Sequence, residues 1–393
     1  KDEMGRLASE DRRLMEMMVL EFRRAGLLLP AEKRSQLAAI KRRISDLEIA
    51  FNRCINEQNT RVLFTRDELE GLPIDYFDGR KTEEANGAIS YIVTTKHPDY
   101  VLLMKFATRE STRKAMYVAE TTQCPANISR LQEMVHLRLD HANLLGYGSH
   151  SDYVLETLMA KSPQTALAME NDLLAKMTDM AQRELDELEA LKKADMLAAD
   201  EAYNGFYCWD KAYYMRKLAE QKHGLREEEV KQYFSLSKAT CGMLDIYQEM
   251  LGLRIIQVSN PPVWHPDVAM YEVWEADEDA FVGHFYLDLH PRDGKYSHAA
   301  VWRIRPGYTR SDGTREFPVA AMVANFPKPT STAPALLTHK NVITLMHELG
   351  HVFHNLCAHT KWSQFHGTRV ERDFVEAPSQ MLESWAWEPA SLR

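Results

Sequence analysis

The chain has 393 residues, of which 45% are hydrophobic and 27% are charged, and its formal net charge is −9. This balance is typical of a globular protein with a large core. Because the sequence has no apolar run of about 18 residues, we expect neither a transmembrane helix nor a membrane partner. The acidic charge argues against nucleic acid as a partner.

Most of the chain has the 3.6-residue periodicity of amphipathic helices. It predicts helices at residues 6–27, 30–58, 98–107, 113–122, 126–145, 151–160, 162–196, 208–221, 227–234 and 238–251. A strand is predicted at 87–95, where Ile89, Tyr91 and Val93 fall on alternate positions. From residue 268 the period changes to two, which predicts a small antiparallel sheet with strands at 268–275, 281–290, 298–305 and 318–326.

The cysteines indicate a reducing environment. They number five and are scattered along the chain, at Cys54, Cys124, Cys208, Cys241 and Cys357. An odd number at such spacings favours free thiols over a disulfide framework. We therefore expect a cytoplasmic protein, with the mitochondrial intermembrane space as the alternative. A monomer is expected, although nothing in the sequence determines the oligomeric state.

The segment His347-Glu348-Leu349-Gly350-His351 carries the most specific chemistry, on an apolar helix predicted at 338–359. Two histidines four positions apart lie on one helical face, so both rings can reach a single tetrahedral cation. Glu348 lies beside the first ring, where a carboxylate can deprotonate a metal-bound water. The alternative is two half-exposed histidines beside an ordinary surface glutamate.

A catalytic zinc ion needs a third protein ligand and one open position. The chain has no C-x-x-C pair, and position 357, where an extended motif would place a third histidine, is cysteine. A carboxylate downstream of the motif is therefore the remaining candidate for the third ligand. On a second helix, Glu376, Gln380 and Glu383 share one face at spacings of four and three.

The run DFVEAPSQMLE at residues 373–383, after HELGH, resembles the zinc site of the thimet oligopeptidase, neurolysin and saccharolysin group of metallopeptidases. Three upstream blocks resemble the same family: FYLDLHPRDGKYSHAA at 285–300, LLGYGSHSDYVLE at 144–156 and the W-D-x-x-Y-Y run at 209–214. The similarity extends over essentially the whole chain. Leu349 stands where phenylalanine is commoner in the family, which keeps the position apolar.

This resemblance implies a site and an activity. His347, His351 and Glu376 would bind one zinc ion, and Glu348 would be the catalytic base of an endopeptidase that hydrolyses short oligopeptides. The implied fold is a mainly α, two-lobed, zincin-like metallopeptidase, with a small antiparallel sheet beside the HExxH helix and a deep substrate channel. A helical N-terminal lobe at 1–154 and a catalytic lobe at 155–393 are expected to interleave.

The resemblance also predicts contacts around the site. In zincins an edge strand binds extended peptide through its main chain, and we assign this role to Ala320, Ala321, Met322, Val323, Ala324 and Asn325. A plain core strand is the alternative. Gln380 or Glu383 is expected to hydrogen-bond a ligand imidazole. His354 is expected to support the site without ligating. Gly350 would let the helix of Glu376 approach closely.

One departure from the family is the length of the chain. It ends seventeen residues after Glu376, before the family's Gly-rich loop and the Tyr and His residues that grip the substrate. We expect a fragment that lacks N- and C-terminal parts and is not fully active alone. Two alternatives stay open: a mitochondrial presequence-processing peptidase of the same superfamily, and a catalytically incomplete peptide-binding fragment. A structural zinc site is disfavoured, because such sites have four ligands.

Overall fold

The computed structural model describes residues 6–85, 87–224, 227–292, 294–296, 298–329 and 334–392. Its contacts divide the chain into two compact units that interleave along the sequence. We call Lys1–Ala25, Thr157–Ala160 and Arg226–Arg393 the sheet unit, and Gly26–Glu156 and Lys161–Leu225 the helical unit. This division groups residues 161–225 with the earlier helices, whereas the predicted boundary lay at 154/155. That boundary stays a prediction.

The helical unit contains seven helices and a three-stranded antiparallel sheet among its described residues. The helices are α2 (Ala31–Glu57), α3 (His97–Phe106), α4 (Glu110–Thr121), α5 (Asn127–Leu144), α6 (His150–Leu155), α7 (Pro163–Ala198) and α8 (Lys211–His223). The strands β1 (Arg61–Thr65), β2 (Thr82–Ala85) and β3 (Ala88–Thr94) have the order β1-β3-β2. A short 3₁₀ helix, Ile74–Phe77, lies between β1 and β2.

Local sequence explains where two of these helices begin. The side chains of Ser149 and Ser162 cap α6 and α7 by accepting the N–H groups of Asp152 and Thr165. Pro163 occupies the first turn of α7, where the missing N–H costs no hydrogen bond. Under the small sheet, the core of the unit is formed by residues such as Phe64, Leu69, Leu103, Met104 and Met116.

The sheet unit contains a mixed five-stranded sheet with helices packed against it. Its strands are β4 (Leu253–Gln257), β5 (Ala269–Glu275), β6 (Phe281–Asp288), β7 (Ala300–Arg305) and β10 (Val319–Val323), in the order β4-β5-β6-β10-β7. The pair β10–β6 is parallel and the other pairs are antiparallel. Strands β8 (Tyr308–Thr309) and β9 (Arg315–Glu316) form a separate small ribbon.

The helices of the sheet unit are α1 (Ser9–Arg24), α9 (Glu227–Val230), α10 (Leu236–Leu251), α11 (His339–Leu356) and α12 (Glu376–Glu383). Three short 3₁₀ helices accompany them, at Lys231–Tyr233, Ser363–Phe365 and Ser384–Trp387. The core of the unit lies between α10, α11 and the sheet. Tyr247 of α10 stacks on Phe353 of α11, and Phe353 contacts Phe285 of β6 edge to face.

The mainly helical fold with a small sheet is confirmed, and the predicted helices and strands are found with shifted ends. The sheet differs from the prediction in having one parallel pair. The predictions missed β1, β2, β4, β8 and β9, and the predicted helix 227–234 is only α9 followed by a 3₁₀ turn. In the described part of the chain, no helix is long and apolar enough to cross a membrane.

Candidate metal centre

Helix α11 carries the predicted motif. A capping box defines where the helix begins, and an apolar face packs it against the core. Thr338 and Asn341 form a reciprocal capping box, in which each side chain accepts the other residue's backbone N–H. The apolar face of the helix is buried in the core, through Val342, Leu345, Met346, Leu349, Val352, Phe353 and Leu356. This burial fixes the direction of the opposite, polar face, on which the two histidines lie.

His347 and His351 converge with Glu376 on one point. Oε2 of Glu376 lies 3.2 Å from Nε2 of His347 and 3.1 Å from Nε2 of His351. One potential ligand atom from each of the three residues lies within 4.8 Å of the others. Two imidazole nitrogens and one carboxylate oxygen are a donor set that suits zinc, with room for a fourth ligand. The Glu376 side chain is 51% exposed, so the cluster has an open side.

Helix α12 can bring Glu376 to α11 because Gly350 has no side chain. A Cβ atom at Gly350 would lie 2.9 Å from the Cα atom of Ser379, closer than real contacts allow. Ser379 is fully buried, and its Oγ lies 3.0 Å from both the carbonyl oxygen and Oε2 of Glu376. The predicted close approach at Gly350 is therefore observed. It places the Glu376 carboxylate next to the Nε2 atoms of His347 and His351.

Glu383 orients the first histidine of the motif. Its Oε1 lies 2.7 Å from Nδ1 of His347. An ionised carboxylate only accepts hydrogen bonds, so Nδ1 carries the proton and donates it, which leaves the lone pair on Nε2 toward Glu376. Gln380 is exposed, and within the described ranges no hydrogen bond joins it to an imidazole. Of the two predicted candidates, the structure places Glu383 at the ring.

Glu348 is buried, although His347 and His351 of the same motif lie at a site that is open on one side. Only 7% of its surface is exposed, and its Oε2 has no hydrogen-bond partner among the described residues. Burial raises the pKa of the Glu348 carboxyl, a shift that the neighbouring His347 ring opposes. Burial also lowers the pKa of His351, which favours the neutral ring that can bind a cation. In both groups burial disfavours the charged form.

His354 lies outside the cluster of three. It is half-buried, burial lowers its pKa, and its Nδ1 has no hydrogen-bond partner within the described residues. Among those residues, only His347, His351 and Glu376 bring three potential ligand atoms close enough together to hold one ion. The supporting role that we expected for His354 stays a prediction.

The strand assigned to peptide binding is an interior strand, contrary to the main prediction. Strand β10 pairs with β6 on one side and with β7 on the other. Beyond the strand, the backbone N–H of Ala324 donates to Asp288. The main chain of β10 is therefore engaged within the sheet, so β10 is not the edge strand that the peptide-binding assignment assumed. The edge of the sheet on this side is β7, which packs against α11.

Three residues at the site were missed by sequence reasoning. Ser379 follows Glu376 by three residues, a helical spacing that offered a signal. Asn355 follows His351 by four and donates from Nδ2 to its carbonyl oxygen at 2.8 Å. Tyr247 donates its hydroxyl to the carbonyl oxygen of Met346 at 2.9 Å, next to the first histidine. No local signal identifies Tyr247, because it lies on α10, far away in the sequence.

Comparison with known proteins shows the family of the chain. Residues 103–393 match Peptidase family M3. The chain is 39% identical to a thimet-like oligopeptidase from Dictyostelium discoideum over 97% of its own length and 57% of the relative's. It is 37% identical to saccharolysin from Saccharomyces cerevisiae, with 95% and 54% covered, and 30% identical to oligopeptidase A from Escherichia coli, with 100% and 59% covered. The chain thus spans a little over half the length of these relatives.

Proposed function

Because the chain belongs to Peptidase family M3, we propose that it is part of a zinc-dependent endopeptidase that hydrolyses short oligopeptides. The observation that carries the proposal is the convergence of His347, His351 and Glu376 beside a buried glutamate. The chain spans just over half the length of the relatives. We therefore propose, and do not take over from the relatives, the activity and the substrates of the whole protein.

The residues present fit a catalytic zinc ion. His347 and His351 would offer Nε2 and Glu376 would offer Oε2, which gives three protein ligands and one free position. A zinc ion held there would polarise a peptide carbonyl and lower the pKa of a water molecule. Glu383 would keep His347 in the tautomer whose Nε2 faces the ion, and Ser379 would hold the Glu376 carboxylate.

Glu348 is proposed as the general base. It follows the first ligand by one residue and has a carboxylate oxygen that no other described residue engages. Oε2 of Glu348 would take the proton of the attacking water and later deliver it to the nitrogen of the leaving amine. A carboxylate that is not neutralised by a cationic side chain is suited to shuttle a proton in this way.

We propose β7, in place of β10, as the strand that aligns the substrate. One side of β7 pairs with β10, and its other side is the edge of the sheet. Edge strands bind extended peptides through main-chain hydrogen bonds. Its side chains Trp302 and Ile304 are 41% and 58% exposed, which would provide apolar contacts along a bound peptide.

The test combines metal analysis with a peptidase assay. The purified protein is expected to bind one zinc ion per chain and to cleave an internally quenched fluorogenic peptide in a chelator-sensitive manner. Glu376→Ala is expected to lose the zinc ion, whereas Gln380→Ala, on the exposed side of the same helix, is the matched control. Normal zinc content in Glu376→Ala would contradict the assignment of Glu376 as the third zinc ligand.

Two further outcomes separate the alternatives. Stoichiometric zinc and peptide binding without any hydrolysis would contradict an active peptidase and favour a peptide-binding fragment. Preferential cleavage of a mitochondrial presequence peptide over short peptides would favour a presequence-processing enzyme. We also propose a cytoplasmic monomer, which cell fractionation and light scattering would test.

A further inference from the structure

Two of the five cysteines lie together in the helical unit. Cys54 is on the last turns of α2, and Cys124 is in the loop between α4 and α5. Sγ of Cys124 lies 3.2 Å from the carbonyl oxygen of Cys54. The neighbouring Cys54 side chain raises the pKa of the Cys124 thiol. Both residues are half-buried, and among the described residues no hydrogen bond joins any other two cysteines.

The packing of α2 against α5 holds this pair in register. Asn127, at the start of α5, donates from Nδ2 to the carbonyl oxygen of Phe51 at 3.1 Å. Further along, Arg43 forms two hydrogen bonds with the Glu133 carboxylate, at 2.6 and 2.8 Å. As residue numbers fall along α2 they rise along α5, so the helices are antiparallel. Cys54 and Cys124 extend the same series of contacts.

The loop backbone turns the Cys124 thiol toward α2. Cys124 has a φ of +59°, a left-handed conformation that is uncommon for residues with a side chain. A turn hydrogen bond from the N–H of Asn127 to the carbonyl oxygen of Cys124, 2.9 Å long, closes this conformation. Both cysteines are thus held by backbone that other contacts anchor, and disulfide geometry depends on such backbone separation.

We propose that Cys54 and Cys124 are a redox modification site that forms an intramolecular disulfide when the protein meets an oxidised low-molecular-weight thiol. One cysteine thiolate attacks the disulfide of oxidised glutathione, forming a mixed disulfide and releasing one glutathione thiolate. The second cysteine thiolate then attacks the protein-bound sulfur and releases the other glutathione thiolate. Both cysteines lose a proton, and two electrons pass to the glutathione disulfide. The free thiols expected from the sequence are the reduced form.

The disulfide would stabilise the helical unit. It would close the chain from residue 54 to residue 124 and so remove conformations from the unfolded state. The closed segment contains β1, β2, β3, α3 and α4. Because α2 and α5 are already packed at the linked positions, the folded unit needs little rearrangement. Oxidation is therefore expected to raise the unfolding temperature of this unit.

The experiment incubates the full chain with oxidised or reduced glutathione at neutral pH, traps free thiols with iodoacetamide and maps the peptides by mass spectrometry without reduction. The expected product is a linked peptide that contains Cys54 and Cys124 without alkylation. Its mass is lower by two hydrogen atoms than the sum of the two free-thiol peptides. The midpoint of thermal unfolding should be higher for the oxidised sample than for the reduced one.

Cysteine-to-serine variants provide the controls. Cys54→Ser is expected to leave Cys124 alkylated or joined to glutathione, with no rise in the unfolding midpoint on oxidation. Cys208→Ser, an exposed cysteine of the same unit, is expected to behave as wild type. Circular dichroism checks that each variant is folded. Separate labelling of Cys54 and Cys124 in the oxidised wild-type protein, or their pairing with other cysteines, would overturn the proposal.

Discussion

The buried charged network around Asp210 in the helical unit and the candidate metal centre of the sheet unit satisfy their charged side chains in different ways. In the helical unit, Arg113, Lys192 and Asp210 are almost fully buried. Oδ1 of Asp210 accepts from Arg113 at 2.7 Å and its Oδ2 accepts from Lys192 at 2.8 Å. Lys192 also pairs with Glu110 at 2.9 Å. Two cations meet two carboxylates, and the group is electrically balanced.

The metal centre of the sheet unit has no such balance. Glu348 is buried without a cationic side chain against its Oε2, and three potential ligand atoms converge on one point. Buried polar groups without partners are costly, so proteins retain them mainly where they act. The network around Asp210 therefore has the properties of a structural element, whereas the centre around Glu348 has those expected of the proposed catalytic site. The following four predictions test this distinction.

Replacing a carboxylate by an amide at the metal centre should remove activity without loss of stability. Glu348→Gln is expected to lower the rate of peptide hydrolysis about 10²–10⁴-fold, because the general base is lost. The free energy of unfolding should stay the same or rise, since Oε2 loses no hydrogen bond. Zinc content, turnover and urea unfolding are the measurements. Near-normal turnover would remove Glu348 from its proposed role.

The same chemical change in the buried network should have the opposite result. Asp210→Asn would leave Arg113 buried without an anionic partner and Lys192 with Glu110 alone, at a cost of about 3–5 kcal/mol in the free energy of unfolding. Urea unfolding measures the loss. The control is Asp172→Asn, whose exposed pair with Lys176 on α7 should contribute less than about 0.5 kcal/mol. Equal effects for the two variants would show that the network is not structural.

The ring orientation at the centre should depend on one carboxylate. Glu383→Gln is expected to weaken zinc binding about 10–100-fold, because a side-chain amide cannot match the charge-assisted acceptor at Nδ1 of His347. Competition with a chromogenic chelator measures the affinity. Gln380→Glu, which places a carboxylate on the exposed part of α12, should leave the affinity unchanged. A stronger loss in Gln380→Glu than in Glu383→Gln would reverse our assignment.

The smallest effect is expected at the contact between α11 and α12. Gly350→Ala would force the helices apart at Ser379, and the overpacking cost of about 1–3 kcal/mol would be offset in part by about 1 kcal/mol of helix propensity. Gly242→Ala on α10, where nothing lies within 4 Å of the added Cβ, should be slightly stabilising. A gain of stability at both positions, seen by urea unfolding, would contradict close packing at Gly350.

Sequence periodicity predicted most of the helices, because the buried face of a helix repeats within the element itself. The strands were found where alternation was strong, as in β5 and β6. Short elements such as β2 (Thr82–Ala85) gave no clear alternation and were missed. Strand order was out of reach, since alternation shows which face of a strand is buried but not which strands lie beside it. For that reason the sequence does not show that β10 lies in the interior of the sheet.

At the metal centre, the sequence by itself determined what a single helix can determine: His347 and His351 on one face, with Glu348 beside them. It also placed Glu376, Gln380 and Glu383 on one face of a second helix. Only the tertiary structure decided that Glu376 meets the two histidines, that Glu383 reaches His347, and that Cys54 lies against Cys124. These contacts depend on how closely neighbouring segments pack and how they are rotated. The size of the residues at the contact sets this packing, as Gly350 does between α11 and α12. No local pattern records that packing.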